Sequence, residues 1–489
     1  MTDNLKVLMV ASEAVPFAKT GGLADVIGAL PGVLKDLGVE VKVLMPYYGM
    51  IKQGKIPMTC AAENLEGLVG GRPLSFNLVT PAAGEMPFYF VERDEFYERS
   101  QLYGKPTGDY FDNLERFSFF SSTVLPFCRA LAFQPDIIHV HDWQASLVPV
   151  YLNHRWQEEP ALAGARTLLT IHNLGYQGLF DKDKFPLLGL DWSLFCMDGL
   201  EFYDRINFLK GGIVCAHAIN TVSRTYSQEI QTSEHGFRLD GVLRTRADAL
   251  FGILNGVDYN IWNPEVDRLI PANFGPDKLE GKAVNKRALM EAFNLSPLLE
   301  QSPILGVVSR LADQKGFDLV VAVLPELMAR DIPLVILGTG EKHYHDLLTA
   351  EARKYPGKLG VKIAFDDGLA HLIEAGADMF LMPSRYEPGG LNQLYSLKYG
   401  TIPIVRATGG LADTVMPVDP AKGAGTGFLF VEPDAAHFIK AINAAAAAFA
   451  DKALWRKIML NAMTQDFSWE SSAKSYLNLY QRLAAGEVG

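Results

Sequence analysis

One stretch of the chain combines a carboxylate with glycines in a setting suited to a ligand. It runs from Ser384 to Gln393 (SRYEPGGLNQ), with Glu387 in its middle, after an apolar strand-like run and before a helical pattern. The glycines allow the backbone to approach a ligand, and a helix that begins after them offers free N–H groups to an anion. This pattern indicates a functional loop. A Pro-Gly turn with a solvated glutamate is the alternative.

Cations occur in two further loops. Lys19 lies in residues 19–25 (KTGGLAD), and Arg310 and Lys315 lie in residues 309–316 (SRLADQKG), which follow a predicted strand. A diphosphate, whether bound or leaving, needs such cations together with free N–H groups. For any one of these side chains taken alone, a solvated surface cation is the alternative.

Two apolar strands end in polar side chains. Residues 136–144 (DIIHVHDWQ) contain Asp142, and residues 166–173 (RTLLTIHN) contain His172. Ligands of open parallel sheets bind at the carboxyl ends of the strands, which makes both residues candidates for the site. A helix N-cap is the alternative for Asp142, and a satisfied core histidine is the alternative for His172.

No metal-binding pattern is present in the sequence. His139 and His141 flank Val140, and we expect their side chains to point to opposite faces of a strand, which makes them a poor metal pair. The chain also lacks a P-loop lysine and a Gly-x-Ser-x-Gly elbow. These absences disfavour NTPase and hydrolase functions, and we predict no metal.

The strands that position these residues alternate with helices in two halves of the chain. A strand, a glycine loop, a helix and a strand occupy residues 7–45, and the alternation restarts at residues 304–310. Residues 20–25 (TGGLAD) recur at residues 408–413. We therefore predict an α/β fold with two Rossmann-like domains whose parallel sheets face an interdomain cleft.

Composition narrows the class of protein. The 489 residues are enough for two large domains, and 48% of them are hydrophobic, which is typical of a globular protein. The net charge of −11 argues against a general nucleic-acid binder. The four cysteines lack paired spacing, the N-terminus lacks signal-peptide features and no stretch reaches the length of a membrane span. We expect a soluble cytoplasmic protein.

Taken together and in order, these motifs resemble those of one family. They are residues 19–25, 141–144, 170–173, 255–258 (NGVD) and 309–316, the Glu387 loop and the second Thr-Gly-Gly motif. Over essentially its whole length the chain resembles bacterial glycogen synthases and plant starch synthases, which are ADP-glucose-dependent retaining glycosyltransferases of the GT-B fold.

The resemblance implies a division of the chain into domains. Residues 1–253 resemble the N-terminal, acceptor-side domain, and residues 254–468 resemble the C-terminal domain that binds the nucleotide-sugar donor. Residues 469–489 would form a helix that packs back on the first domain, an expectation that rests on analogy with the fold.

The resemblance also assigns roles to individual residues. Glu387 would lie beside the transferred glucose, Arg310 and Lys315 would hold the diphosphate, His172 would lie against the glucose, and Asp142 would lie in the cleft. The remaining substrate contacts implied are Lys19, Gly22, Asp25, Tyr103, Asn255, Phe365, Gly390, Leu391 and Asn392.

The chain departs from the family pattern at a few positions. Many bacterial relatives have Cys and Thr where this chain has Gly389 and Asn392. Gly389 should be tolerated because its backbone lines the turn, whereas Asn392 changes the reach of a hydrogen-bonding side chain. Phe365 occupies a position where the family often has a tyrosine that stacks on adenine, and phenylalanine keeps that apolar face.

The function implied is transfer of glucose from ADP-glucose to the non-reducing end of an α-1,4-glucan, with retention and release of ADP. The partners implied are ADP-glucose and glycogen, with no cofactor, nucleic acid or membrane. One alternative is a retaining glycosyltransferase of the same fold with another donor or a small acceptor. Another is a catalytically silent glucan-binding protein, which would have no need for diphosphate cations beside a carboxylate.

Overall fold

The computed structural model describes residues 5–54, 56–82, 87–105 and 108–488. Residues 1–4 lie outside the described residues. They belong to the N-terminus, for which the sequence predicted no signal peptide. By its internal contacts the chain forms two compact units. The first contains the residues up to Gly256 and those from Trp469 onward, and the second is Val257–Ser468. The sequence placed the first boundary at residue 253.

The first unit is built on parallel strands connected by helices. Its strands are β1 (Lys6–Val10), β2 (Glu40–Pro46), β3 (Met58–Val69), β4 (Arg72–Pro81), β5 (Phe88–Glu92), β6 (Gly104–Lys105), β7 (Gly108–Asp109), β8 (Ile137–His141), β9 (Arg166–Ile171), β10 (Leu179–Asp181), β11 (Glu201–Phe202), β12 (Arg205–Asn207), β13 (Ala218–Thr221) and β14 (Leu250–Gly252). Its helices before the second unit are α1 (Gly22–Asp36), α2 (Gly49–Lys52), α3 (Asp94–Tyr97), α4 (Asn113–Ser122), α5 (Val124–Ala130), α6 (Asp142–Ala145), α7 (Leu147–His154), α8 (Phe208–Cys215), α9 (Arg224–Glu229) and α10 (Asp240–Thr245).

The main sheet of this unit has nine strands in the order β14-β13-β9-β8-β1-β2-β5-β4-β3. Pairing is parallel from β14 to β5, and β4 and β3 extend the sheet antiparallel. The chain starts in the middle at β1 and β2, crosses to the edge at β3, returns through β4 to β5 beside β2, and then continues from β8 on the other side of β1. The order therefore reverses between β1 and β8, and in such sheets ligands bind at the carboxyl ends of the strands at this point.

Burial explains why these segments form strands and helices. Val7 to Val10 in β1 are fully buried, as expected for a central strand covered on both faces. In α1, the apolar residues predicted to share one face include Leu23, Val26, Ile27 and Leu30, and all four are buried.

The second unit repeats the plan in a smaller form. Its strands are β15 (Leu305–Val308), β16 (Leu334–Gly338), β17 (Leu359–Ile363), β18 (Met379–Met382), β19 (Ile402–Arg406) and β20 (Phe428–Phe430). Its helices are α11 (Glu280–Ala292), α12 (Phe317–Ala329), α13 (Lys342–Lys354), α14 (Asp367–Gly376), α15 (Asn392–Lys398), α16 (Gly409–Thr414), α17 (Ala435–Ala450) and α18 (Lys452–Met463). The last helix of the chain, α19 (Trp469–Ala484), packs against α1 and β8 of the first unit.

The sheet of the second unit is parallel throughout, in the order β17-β16-β15-β18-β19-β20. Numbered along the chain, this is the 3-2-1-4-5-6 order of dinucleotide-binding sheets. The prediction of an α/β fold with two Rossmann-like domains is confirmed. In this sheet the order reverses between β15 and β18. Among the described residues, none of the helices is both long and apolar enough to cross a membrane.

Candidate active site

In the second unit, Glu387 follows β18 at the place where the strand order reverses. Its Oε2 accepts hydrogen bonds from Lys315 Nζ at 2.6 Å and from Ser384 Oγ at 2.9 Å. The residue is only 5% exposed, so the carboxylate depends on these two donors. Within the described part of the chain its Oε1 has no hydrogen-bond partner. One oxygen is therefore anchored, and the other is available to a ligand.

The loop that carries the cations lies directly against the Glu387 loop. The Gln314 carbonyl oxygen accepts a hydrogen bond from Arg385 N at 2.8 Å, and Gln314 Nε2 donates to Tyr386 O at 3.1 Å. Arg310 is exposed, and its Nη2 donates to Gln314 Oε1 at 3.4 Å. These contacts bring two predicted residues, Arg310 and Lys315, to the same edge of the sheet as Glu387.

The second Thr-Gly-Gly motif supports the backbone of the Glu387 loop. Gly410 N donates to the carbonyl oxygens of Glu387 and Pro388, each at 3.1 Å. A Cβ on Gly409 would lie 2.0 Å from the backbone carbonyl oxygen of Glu387, and a Cβ on Gly410 would lie 1.9 Å from that of Gly389. Only glycines fit so close to another backbone, which accounts for this half of the internal repeat.

The residues that follow Glu387 include three predicted substrate contacts, and these contacts remain predictions. Gly390 has a φ of +67°, a left-handed conformation that favours glycine. Leu391 comes immediately before α15, and the Asn392 amide donates to the Val308 carbonyl oxygen at 2.5 Å, so it also holds the end of β15. Phe365 follows β17 and is 85% exposed, which leaves a face of its ring free for a planar group.

In the first unit, the glycine loop ends at the start of α1. Gly22 is the first residue of the helix, and Lys19 Nζ lies 2.7 Å from Asp25 Oδ1. The Lys19 side chain is partly exposed. The predicted cation and carboxylate of this loop therefore form a pair with each other.

Glu13 holds this glycine loop through hydrogen bonds to its carboxylate. It is buried, and its carboxylate accepts hydrogen bonds from Thr20 N at 2.5 Å, Thr20 Oγ1 at 2.6 Å and Gly21 N at 3.2 Å. Tyr103 OH also donates to it at 2.6 Å and lies 2.7 Å from Ser12 Oγ. Burial raises the pKa of Tyr103 well above its usual value. The hydroxyl of Tyr103 thus supports the loop, and its predicted contact with substrate remains a prediction.

Asp142 and His172 lie together at the carboxyl ends of β8 and β9. Asp142 Oδ1 accepts a hydrogen bond from His172 N at 2.7 Å, and Asp142 has a left-handed φ of +55°. Burial raises the pKa of Asp142 to about 7, although the backbone N–H of His172 opposes this shift. Burial lowers the pKa of His172 to about 3, so its imidazole is neutral at pH 7.

A buried chain of polar groups continues below His172. His141 Nδ1 lies 3.0 Å from His172 Nε2, and the rings of His139 and His141 are 4.0 Å apart. His139 also bonds Tyr480 OH of α19 and Thr170 Oγ1, at 2.7 and 2.6 Å. The prediction that His139 and His141 point to opposite faces is wrong, because residues two apart in a strand share a face.

Asn255 follows β14 and is 8% exposed. Its side-chain oxygen is buried and has no hydrogen-bond partner among the described residues. An unpaired buried acceptor is uncommon and is compatible with the predicted role in binding, which remains a prediction.

Among the described residues, one group of side chains could bring metal ligands together. Asp313, Glu341 and His343 offer ligand atoms within 4.8 Å of one another, and all three are exposed. Asp313 also accepts a hydrogen bond from Tyr344 OH at 2.5 Å. Because exposed acidic groups are common without an ion, we assign no metal to them.

Similarity to known proteins extends over the whole chain. The family model of the starch synthase catalytic domain matches residues 6–245, and that of glycosyl transferases group 1 matches residues 291–448. A glycogen synthase of Koribacter versatilis is 47% identical over 98% of both chains. One of Anaeromyxobacter dehalogenans is 47% identical over 99% of this chain and 100% of its own. The chain belongs to the glycogen synthase family.

Solved structures agree with this membership in the glycogen synthase family. The catalytic domain of starch synthase IV from Arabidopsis thaliana, bound to ADP and acarbose, has a TM-score of 0.90 and 32% identity, covering 99% of this chain and 100% of its own. A sucrose-phosphate synthase from Thermosynechococcus elongatus has a TM-score of 0.59 at 18% identity and supports the fold alone. The fold class is GT-B, and the chain is a retaining glycosyltransferase with glycogen synthase function.

The sequence patterns did not predict the residues that support the site. Glu13, Ser384 and Gln314 each hold a predicted residue or its loop. Glu13 lies three residues after the end of β1, and Ser384 lies three residues before Glu387, so position alone could have identified both. The contacts of Gln314 depend on two loops that are distant in sequence.

Proposed function

We propose that this chain transfers glucose from ADP-glucose to the non-reducing end of an α-1,4-glucan, with retention of configuration and release of ADP. The observation that carries the proposal is the Lys315–Glu387 pair at the switch point of the second sheet. A cation next to a buried carboxylate can hold a leaving diphosphate beside a carbon that becomes positive.

The second unit has the charges that the leaving group requires. Departure of ADP adds negative charge to the diphosphate, and Arg310 and Lys315 can compensate it without a general acid. Lys315 is paired with Glu387, so a bound diphosphate would give its ammonium a second anion. The free Oε1 of Glu387 can then support an oxocarbenium-like state. Both a covalent intermediate and same-face attack remain compatible with retention.

The first unit has groups suited to a sugar. At pH 7 the neutral imidazole of His172 and the Asp142 carboxyl, with its pKa of about 7, can exchange hydrogen bonds with hydroxyl groups. Lys19 adds a partly exposed cation beside the glycine loop. We propose that these residues contact the donor glucose or its phosphates. A structural relative was solved with ADP and acarbose bound, which supports ADP as product.

The proposal includes no cofactor and no metal ion, because cationic side chains can stabilise the leaving group. We also propose that the protein is cytoplasmic and that it binds neither nucleic acid nor membranes.

The test is the release of nucleoside diphosphate from ADP-glucose and, separately, from UDP-glucose, each with and without glycogen. Glycogen-dependent release of ADP, with labelled glucose incorporated in α-1,4 linkage at chain ends, is expected. A preference for UDP-glucose would replace the donor, and activity only on a small acceptor would replace the glucan. Glycogen binding without release from either donor would indicate a silent binder. Glu387→Gln should abolish release, whereas the exposed Asp36→Asn should not.

A further inference from the structure

His172 is held by two contacts, one through its backbone and one through its ring. Its backbone N–H donates to Asp142 Oδ1 at 2.7 Å, and its ring Nε2 lies 3.0 Å from His141 Nδ1. The other ring nitrogen, Nδ1, has no hydrogen-bond partner among the described residues. Although Nδ1 lacks a partner, it is not fully buried, so it retains access to solvent at the carboxyl edge of the sheet.

His141 has no such freedom. Its side chain is fully buried, and its Nε2 is a buried atom with no hydrogen-bond partner in the described part of the chain. Burial lowers the pKa of His141 well below its usual value, with His139 and His172 adding to the effect. The ring is therefore neutral and carries one proton, which must lie on either Nδ1 or Nε2.

The two positions of this proton differ in what they leave unpaired. If His172 donated from Nε2, His141 would accept at Nδ1 and would carry its own proton on Nε2, as a buried N–H without an acceptor. If His141 donates from Nδ1, its Nε2 is a bare lone pair. Orphaned buried N–H groups are rarer in folded proteins than under-satisfied acceptors. The second arrangement is therefore favoured.

We infer that His141 is a positioning residue that fixes the tautomer of His172. His141 donates from Nδ1 to His172 Nε2, and His172 consequently carries its proton on Nδ1, the nitrogen with access to solvent. The bond that one ring nitrogen makes determines which form the other presents. His172 therefore offers a hydrogen-bond donor, not an acceptor, at the edge of the sheet.

The consequence for substrate rests on the proposed function. A sugar hydroxyl can either donate or accept, and an N–H at His172 requires the contacted oxygen to accept. The proton of that hydroxyl is then free to be donated elsewhere, and the Asp142 carboxyl is the neighbouring group. His172 would thus donate a hydrogen bond to the sugar hydroxyl, and Asp142 would accept one from it.

The direct test is the nitrogen NMR of histidine. The full chain is labelled with ¹⁵N in its histidines, and long-range ¹H–¹⁵N spectra at pH 8 distinguish the protonated ring nitrogen from the bare one. Signals of His172 and His141 are assigned by their loss in His172→Gln and His141→Asn. We expect the proton on Nδ1 in both residues. A proton on Nε2 of His172 in the unsubstituted chain would overturn the inference.

Variants at position 141 separate positioning from packing. In His141→Asn, the side-chain amide can replace the Nδ1–H donor, so His172 should keep its proton on Nδ1 and kcat/KM for the donor should stay within about twofold. In His141→Phe the ring volume remains and the donor is lost, so His172 should populate both tautomers and kcat/KM should fall about tenfold, the rate equivalent of one ordinary hydrogen bond. The exposed His154→Asn serves as a control that should change neither property.

The outcomes keep this inference distinct from the proposed function. Equal losses in His141→Asn and His141→Phe, with no change in the His172 tautomer, would make His141 a packing residue only. If either substitution prevents folding, the spectrum of the unsubstituted chain still decides. A proton on Nδ1 of His172 together with no glucan synthesis would instead refute the proposed function and leave the tautomer assignment in place.

Discussion

At the scale of single residues, the Glu387 carboxylate depends on a cation from another loop. Lys315 is 72 residues away in sequence, and its ammonium lies 2.6 Å from Glu387 Oε2. Removing one partner of a buried pair leaves an uncompensated charge, which costs more than the pair itself contributes. The stability of this loop and its chemistry should therefore be separable by substitution.

Lys315→Gln should lower the free energy of unfolding of the second unit by about 2 kcal/mol, less than for a fully buried pair because Lys315 retains some solvent contact. The double variant Lys315→Gln/Glu387→Gln should recover most of this loss because no charge is left unpaired. All three variants, including Glu387→Gln alone, should be inactive. Calorimetry and the ADP-release assay measure the two properties. Equal destabilisation in the single Lys315 variant and the double variant would show that the pair is not coupled.

Asp142 should give the enzyme a pH dependence near neutrality. Its pKa is raised to about 7 by burial, so its carboxyl ionises as pH rises through 7. An ionised carboxylate favours a positively charged transition state, and kcat/KM should therefore rise with a midpoint near pH 7. Asp142→Asn should lower activity and remove this limb of the profile, whereas Asp36→Asn should retain it. A midpoint that survives in Asp142→Asn would assign the titration to another group.

At the scale of elements, the two Thr-Gly-Gly motifs have different structural roles. The first opens α1, and a Cβ on Gly21 would meet no atom within 4 Å. The second lies against the Glu387 loop, where a Cβ on Gly409, the position equivalent to Gly21, would lie 2.0 Å from the Glu387 carbonyl oxygen. The sequence repeat therefore does not imply equal tolerance of substitution.

Gly410→Ala should displace the Glu387 loop and reduce kcat by at least about a hundredfold, because small misplacements of reacting groups are costly. Gly32→Ala is the matched control: Gly32 lies in α1, a Cβ there meets nothing within 4 Å, and alanine favours a helix. It should keep full activity and gain slightly in stability. Similar activity in both variants would show that close backbone packing is not what this motif provides.

Much of the fold and part of the site could be predicted from local patterns. Strand and helix alternation gave the two Rossmann-like domains, and glycine loops at strand ends gave Glu387, Arg310 and Lys315. The support given by Glu13 and Gln314 could not be predicted, because it depends on which loops meet at the sheet edge. The arrangement of His139 and His141 was accessible from strand geometry and was predicted wrongly.

At the scale of the whole molecule, stability should depend on a buried carboxyl that has no role in the proposed chemistry. Glu374 in α14 is 1% exposed, its Oε2 accepts a hydrogen bond from Ser396 Oγ at 2.7 Å, and its Oε1 has no partner among the described residues. Burial raises its pKa to about 8 despite the opposing effects of Ser396 and Lys282. The folded chain therefore keeps this proton at pH values where the unfolded chain has lost it.

Between about pH 4.5 and 8 this group makes the free energy of unfolding fall as pH rises, by up to about 1.4 kcal/mol per pH unit. Glu374→Gln has no proton to lose, so its stability relative to the unsubstituted chain should increase from pH 5 to pH 8. Denaturant unfolding at both pH values measures the difference. A constant difference would mean that Glu374 is already ionised when folded.

The packing of α19 has a consequence for how the protein is made. Trp469, Tyr476 and Tyr480 are buried in the first unit, and Tyr480 OH bonds His139 in a central strand. These residues leave the ribosome only after Val257–Ser468 has been synthesised. During translation, the N-terminal unit therefore cannot complete its core until α19 has been synthesised, whereas Val257–Ser468 can complete its own core first.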